Sequence, residues 1–163
     1  EDAHAIGLKT TATMVYGFGE TTQQRVEHLM KVRDLQDKTG GFTAFIPWSF
    51  SPDHTDLECP RLQNGVDYLR LIAMARIILD NVPHLQAGWV TEGPDVSQLA
   101  LQYGADDYGG VLMTEEVVSA TGVDYKVDEA LVIHLIREAG WVPAQRTTQY
   151  DTIRIHDETP MTA

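Results

Sequence analysis

Short segments rich in β-branched and aromatic residues alternate with segments of helical periodicity along this chain, and glycine or proline separates most of them. A strand followed directly by a helix is the repeating unit of parallel α/β folds. We predict strands in the first part of 7–21 and at 42–46, 85–90 and 106–108. Helices are predicted from Thr21 or Thr22 to Gly40, around 68–79, after Asp95 and at about 127–139.

Four strand–helix units make half of an eightfold barrel. The predicted fold is therefore α/β: half of a TIM-type (β/α)8 barrel with four parallel βα units, a C-terminal helix and an extended tail. Residues 1–150 are assigned to this half barrel, and residues 151–163 are expected to form a poorly ordered tail. Half a barrel leaves its inner face and two sheet edges uncovered, which favours a homo-oligomer or pairing with a missing half.

Composition narrows the classes of protein to consider. The chain has 163 residues, a net charge of −12 and a pI near 4.7, which argues against nucleic-acid and anionic membrane partners. It shows neither a signal peptide nor an apolar run near the ~20 residues that span a bilayer, so we expect a cytoplasmic protein. Cys59 is the only cysteine, which excludes an internal disulfide and any multi-cysteine metal site within the chain. The first residue is Glu1 rather than methionine, which suggests processing or truncation.

Two glycine pairs follow predicted strands. Gly17 and Gly19 precede Glu20, and this turn is equally well explained as a place of close ligand approach or as a tight βα connection. Gly109 and Gly110 follow the last strand, where complete barrels often bind phosphate, but close packing of helix on strand explains them as well.

The other polar motifs identify no reaction. The segment 53–56, Asp-His-Thr-Asp, is the nearest approach to a metal cluster, and a solvated loop is the simpler reading, so no metal ligands are assigned. Ser49 lacks a nucleophile elbow, and the pair Glu115–Glu116 is typical of a helix start. Arg146 and Tyr150 lie in the extended tail, where they could close over a site or dock the tail on the surface.

Several segments resemble a known family over nearly the whole chain, from Gly7 to Tyr150. They are TTATMVYGFGET at 10–21, FIPWSF at 45–50, QAGWV at 86–90, GADDYGG at 104–110 and PAQRTTQY at 143–150. They resemble the radical SAM enzymes of menaquinone biosynthesis (the futalosine pathway), and specifically the dehypoxanthine futalosine cyclase family. Trp48 favours the cyclase over its sister, aminofutalosine synthase.

The resemblance implies that these segments are strands five to eight of the barrel and its C-terminal tail. The full-length protein would then be an oxidoreductase that uses S-adenosyl-L-methionine and a [4Fe–4S] cluster to cyclise dehypoxanthine futalosine. Its three cluster cysteines belong near the first strand, outside this chain, so the chain alone is expected to be inactive. Alternatives are aminofutalosine synthase, the deazaflavin-precursor synthase, or a non-catalytic, self-associating half barrel.

The resemblance also implies site residues. Val15, Gly17 and Glu20 match the later positions of a fifth-strand motif that contacts the adenosyl cofactor, with Glu20 expected to order the turn. Thr13 stands where the first glycine of that motif would be. Substrate contacts are expected from Trp48, Trp89, Thr91 and Gly109, which lie at strand ends, whereas 113–117 departs from the family pattern. No catalytic residue is assigned.

Overall fold

The parallel sheet begins with the two strands that the sequence marks most clearly. The computed structural model of the chain describes residues 1–53, 55–57, 63–112, 116 and 118–157. Strands β1 (Thr10–Tyr16), β2 (Phe42–Ser49) and β3 (His84–Leu85) form a parallel sheet in the order β1-β2-β3. The helices are α1 (Asp2–Ala5), α2 (Thr22–Thr39), α3 (Gly65–Ile78), α4 (Trp89–Glu92), α5 (Pro94–Ala100) and α6 (Glu129–Glu138), with a 3-10 turn at Ser119–Thr121.

Helix α2 begins and ends at the residues that local chemistry predicts. The Thr21 hydroxyl accepts a hydrogen bond from the Gln24 N–H, and the Gln24 side chain accepts one from the Thr21 N–H, which completes a capping box. Gly40 ends the helix in the left-handed conformation, at φ 59°. The expected N-terminal cap and glycine stop of this helix are both confirmed.

The prediction of four βα units is not confirmed, because the third and fourth strands are much shorter than expected. Leu85 is the last residue of β3, and beyond it the Ala87 N–H donates to the Asp107 carbonyl in a single parallel bridge. The Gly88 carbonyl then accepts from the N–H groups of Thr91 and Glu92, so 89–92 is helical rather than extended.

The fourth predicted strand is reduced to one parallel bridge, between Gln86 and Asp107. Its ladder stops there because the Gly109 N–H donates to the Asp107 carboxylate and not to a neighbouring strand. The described residues therefore contain three parallel strands and one bridge, an arrangement consistent with part of an α/β barrel.

The two faces of the sheet differ in cover. Ala12, Met14 and Tyr16 of β1 are buried in one core with Leu29 of α2 and Ile72 of α3. The alternate side chains of β1, from Thr11, Thr13 and Val15, are exposed. Residues paired across parallel strands share a face, so Ile46 and Trp48 of β2 lie beside Thr13 and Val15 on the open side. Among the residues that the structure describes, helices thus cover one face of β1 and leave the other exposed.

Part of the segment expected to be a poorly ordered tail forms a strand. Strands β4 (Ala144–Arg146) and β5 (Thr152–Ile155) pair antiparallel in a separate two-stranded sheet. The remaining residues, 158–163, lie outside the described part of the chain. Within the described residues, no helix is both long and apolar enough to cross a membrane.

Candidate ligand site at the carboxyl edge of the sheet

The turn after β1 is organised by the Glu20 carboxylate. Its oxygens accept hydrogen bonds from the N–H groups of Gly17 (2.9 Å) and Phe18 (2.8 Å) and from Arg25 Nε (2.7 Å). Burial alone would raise the pKa of Glu20, but these hydrogen bonds outweigh burial and lower it. Glu20 is therefore an ionised acceptor that holds the turn, the role expected for it.

Gly17 is needed at this turn for two physical reasons. Its φ of 109° lies in the region that side chains disfavour, and an added Cβ would lie 2.8 Å from Gln63 Cγ. Arg25 Nη2 holds the same Gln63 side chain through its Oε1 atom, at 3.1 Å. The sequence left two explanations for this turn, close approach of a ligand or a tight βα connection. These contacts favour the tight connection, because the Gln63 side chain fills the space beside Gly17.

Apolar and aromatic side chains cluster where β1 and β2 end. Val15 is 47% exposed and pairs in register with Trp48, whose buried Nε1 has no hydrogen-bond partner among the described residues. Phe18 lies two residues after β1 and Phe50 lies directly after β2. Their rings pack with centroids 4.5 Å apart, and Phe18 is 48% exposed. Sequence reasoning missed this phenylalanine pair, although each residue follows a predicted strand within a few positions.

A partly buried carboxylate, that of Glu92, joins the end of β2 to α4. Oε1 of Glu92 accepts from both the N–H (3.3 Å) and the hydroxyl of Ser49, and the Thr91 hydroxyl lies 3.2 Å away. Burial raises the pKa of Glu92, and the bonds from Ser49 and Thr91 only partly offset that effect. No sequence signal marked Glu92, because its partner Ser49 is distant in the chain.

Two phenols lie close enough to Glu92 for its charge to act on them. Burial raises the pKa of both Tyr16 and Tyr68, and the Glu92 charge raises each further. The Tyr68 hydroxyl accepts a hydrogen bond from the Gly88 N–H at 2.7 Å, whereas the buried Tyr16 hydroxyl has no hydrogen-bond partner among the described residues.

The remaining predicted contacts gather around the turn after the last bridge. Trp89 is only 4% exposed, and its Nε1 donates to the Gly110 carbonyl at 3.2 Å. Gly109 packs against Gln86, whose Nε2 would lie 3.1 Å from an added Cβ. The structure thus pairs Val15 with Trp48 near the ends of β1 and β2, Thr91 with Glu92 in α4, and Trp89 with the turn at Gly109 and Gly110.

The described residues contain no group of three or more His, Cys, Asp or Glu side chains that could hold a metal ion. His54 of the segment 53–56, Cys59 and Glu115 lie outside the described part of the chain.

Comparison with known proteins decides the family. Residues 39–159 match the family model described as the CofH/MqnC C-terminal region. The chain belongs to this family. The resemblance seen in the sequence is thereby confirmed, and Glu92, Trp89 and the Gly109 turn all lie inside the matched region.

Three relatives show where this CofH/MqnC C-terminal region occurs. A cyclic dehypoxanthine futalosine synthase from Streptomyces coelicolor is 48% identical over 158 residues, 97% of this chain and 40% of the relative. An aminodeoxyfutalosine synthase from the same organism is 37% identical over 95% of this chain and 43% of the relative. A 5-amino-6-(D-ribitylamino)uracil–L-tyrosine 4-hydroxyphenyl transferase from Methanosarcina barkeri is 40% identical over 93% of this chain and 43% of the relative. The chain spans about two fifths of the length of these curated relatives.

An iron–sulfur cluster does not fit the residues present. Such a cluster needs several thiolates, and this chain has one cysteine. An adenosyl group fits in part: exposed Val15 offers an apolar contact at the strand end, whereas the Glu20 carboxylate and the Gly17 N–H are already bonded to each other. This family member therefore supplies at most one wall of a cofactor site.

The contacts around Gly17 predict a loss of stability in Gly17→Ala. The new methyl group must displace Gln63 and adopt a positive φ, so the free energy of unfolding should fall by about 1–3 kcal/mol, measured by chemical denaturation. The control is Gly110→Ala, where an added Cβ meets no atom within 4 Å and the change should stay within about 0.5 kcal/mol. Equal effects in the two variants would contradict this reading of Gly17.

The raised pKa of Glu92 predicts the sign of a pH effect on stability. The native state holds this proton more tightly than the unfolded chain does. The free energy of unfolding should therefore fall as pH rises from the ordinary glutamate pKa through the raised one. Glu92→Gln should remove that slope and be more stable than the wild type at neutral pH, while its oxygen still accepts from Ser49. The measurement is denaturation from pH 4 to pH 8.

The matched control makes the same chemical change at Glu27, which is exposed on α2. Glu27→Gln should follow the wild-type curve across the whole pH range. If Glu92→Gln also follows that curve, the carboxylate is not buried enough to matter.

Proposed function

We propose that this chain is the C-terminal part of a radical SAM enzyme that cyclises dehypoxanthine futalosine in menaquinone biosynthesis. The observation that carries the proposal is the 48% identity to a cyclic dehypoxanthine futalosine synthase over 97% of the chain. The aminodeoxyfutalosine synthase and the 4-hydroxyphenyl transferase match at 37% and 40%. The presence of Trp48 near the end of β2 supports the same choice.

In this proposal the chain's own residues bind and orient ligand, and radical generation belongs to the part of the enzyme that carries the cluster cysteines. Val15 and Trp48 form an apolar wall for planar rings at the carboxyl ends of β1 and β2. Glu20 holds the turn beside this wall, and Thr91 and the Gly109 turn follow the next strands. Carboxyl ends of parallel strands are where barrel enzymes bind substrate, which supports this placement.

The open face of β1 supports a second part of the proposal, that the chain completes a barrel with a preceding half. Curated relatives extend well beyond the matched region, because the chain spans about two fifths of their length. Strands from that additional length would cover Thr11, Thr13 and Val15 and pair with the edge of β1. The alternative occupant of this face is a second copy of the chain, which would make a non-catalytic, self-associating half barrel.

The cyclase assignment is tested on the full-length protein that contains this chain, reconstituted without oxygen. Dehypoxanthine futalosine should be converted to its cyclic form, detected by mass spectrometry. Trp48→Ala should lower kcat/KM by about tenfold or more, which corresponds to about 1.4 kcal/mol of lost ring contact. The control is Trp141→Ala, an exposed tryptophan outside the site, which should keep wild-type kinetics.

Turnover of substrates of the aminodeoxyfutalosine synthase or the 4-hydroxyphenyl transferase instead would replace the cyclase assignment. An upstream reading frame without a CxxxCxxC motif would remove the radical SAM assignment altogether.

The barrel assignment predicts that Thr13→Lys behaves differently in two contexts. In the isolated chain the lysine lies on the open face and should change the melting temperature little. In the full-length protein it would be enclosed by the other half, so the free energy of unfolding should fall by several kcal/mol, as for an unpaired buried charge. Gln23→Lys on exposed α2 is the control and should be silent in both contexts. A small effect of Thr13→Lys in the full-length protein would contradict a closed barrel.

A further inference from the structure

The Asp107 carboxylate connects the C-terminal hairpin to the turn after the last bridge. Its Oδ2 accepts hydrogen bonds from Arg146 Nη2 and from the Tyr150 hydroxyl, the latter at 2.7 Å. Its Oδ1 accepts the Gly109 N–H at 3.0 Å. One carboxylate therefore joins two residues of the tail to the backbone of the turn, across about forty residues of sequence.

The tail residues are held in place around this carboxylate. The Tyr150 ring stacks on His84 with centroids 3.9 Å apart and planes 5° apart, and the Arg146 guanidinium lies 4.0 Å from the centre of the same ring. Tyr150 adopts φ 69°, a left-handed conformation that costs a bulky residue free energy unless its contacts repay it. Burial and the Asp107 charge raise the pKa of Tyr150, so its hydroxyl stays protonated and donates.

The turn depends on this support because its own strand is so short. A regular strand end is fixed by a ladder of backbone hydrogen bonds, but here a single bridge, Gln86 to Asp107, precedes Gly109. The Ala87 N–H donates to the Asp107 carbonyl at 2.7 Å, and Trp89 Nε1 reaches the Gly110 carbonyl on the far side of Gly109. Without Arg146 and Tyr150, the Asp107 side chain that holds Gly109 would lose both of its charge-assisted partners on Oδ2.

We infer that Arg146 and Tyr150 are positioning residues, which act through Asp107 to fix the Gly109 turn at the ligand site. That this turn faces a ligand rests on the proposed function; that the tail holds the turn rests on the contacts alone. The tail thus does more than dock on the surface, and it contributes to the site without touching the substrate.

Hydrogen exchange in the full-length protein tests the positioning step directly. Tyr150→Phe removes one hydroxyl and keeps the ring that stacks on His84, so the fold should persist. The Gly109 amide should then exchange about tenfold faster than in the wild type, while amides of β1 and α3 stay unchanged. Arg146→Lys, which retains the charge but loses the planar fork, should give a change in the same direction. Tyr103→Phe, at a half-exposed tyrosine after α5, is the control and should leave Gly109 exchange unchanged.

Steady-state kinetics give a second readout, because a purely structural role of Tyr150 would not change KM without changing kcat. With dehypoxanthine futalosine as the probe, Tyr150→Phe should raise KM several-fold and leave kcat within about twofold, because the turn would bind ligand less well without a change in the reacting groups.

The inference is overturned if Gly109 exchange is unchanged in both tail variants, or if all amides exchange faster together with a lower melting temperature. Turnover of dehypoxanthine futalosine by the wild type, measured in the same series, tests the proposed function separately. If the wild type does not cyclise the substrate, the proposed function fails, and the exchange of Gly109 still decides whether the tail positions the turn.

Discussion

Parallel pairing of β1 with β2 decides how every later part of the chain is arranged. The register runs from Thr11 opposite Ala44 to Tyr16 opposite Ser49, so alternate side chains are assigned to opposite faces along both strands. One face receives α2 and α3 and becomes the core. The other keeps Thr11, Thr13 and Val15 exposed. Parallel strands are ordinarily covered on both faces, and this open face is the observation behind the proposed second half of the barrel.

At the carboxyl edge of the sheet, carboxylate side chains accept hydrogen bonds from backbone N–H groups at or beyond the strand ends. The backbone N–H groups of Gly17, Ser49 and Gly109 follow or end successive extended segments, and each donates to a side-chain oxygen, from Glu20, Glu92 and Asp107 in turn. Unsatisfied backbone donors are costly, and a side-chain oxygen that accepts from them removes that cost. The same three carboxylates anchor Arg25, the Ser49 hydroxyl and the tail, so the edge where ligand is proposed to bind is built from acid side chains that are already engaged.

Local patterns predicted the long elements and failed on the short ones. Helix α2 is recognisable in the sequence because Thr21 and Gln24 cap its N-terminus and Gly40 ends it, and each of these residues acts on its near neighbours. The segment 85–90 is as apolar as a strand, yet it becomes helical at Trp89, because the N–H groups of Thr91 and Glu92 donate to the Gly88 carbonyl. Strand propensity is a weak guide where local helical hydrogen bonds compete for the same backbone groups.

The site divides in the same way. The turn at Gly17 and the support role of Glu20 followed from the sequence and the family resemblance, since these residues contact their own neighbours. Glu92 could not be found, because its environment is made by Ser49 and two tyrosines that come from other elements. Arg146 and Tyr150 were recognisable as polar tail residues, but their partner Asp107 was not.

The sequence by itself determined the α/β class, the position of β1, α2 and β2, and the family, because these depend on local periodicity, capping and residue identity. Only the tertiary structure decided that the parallel sheet of the described residues has three strands, that one face of β1 is open among those residues, and that the tail reaches the last turn. The number of strands and the tail contact depend on which distant donor meets which acceptor, and the open face depends on where the helices pack. Both are settled only when the chain is folded.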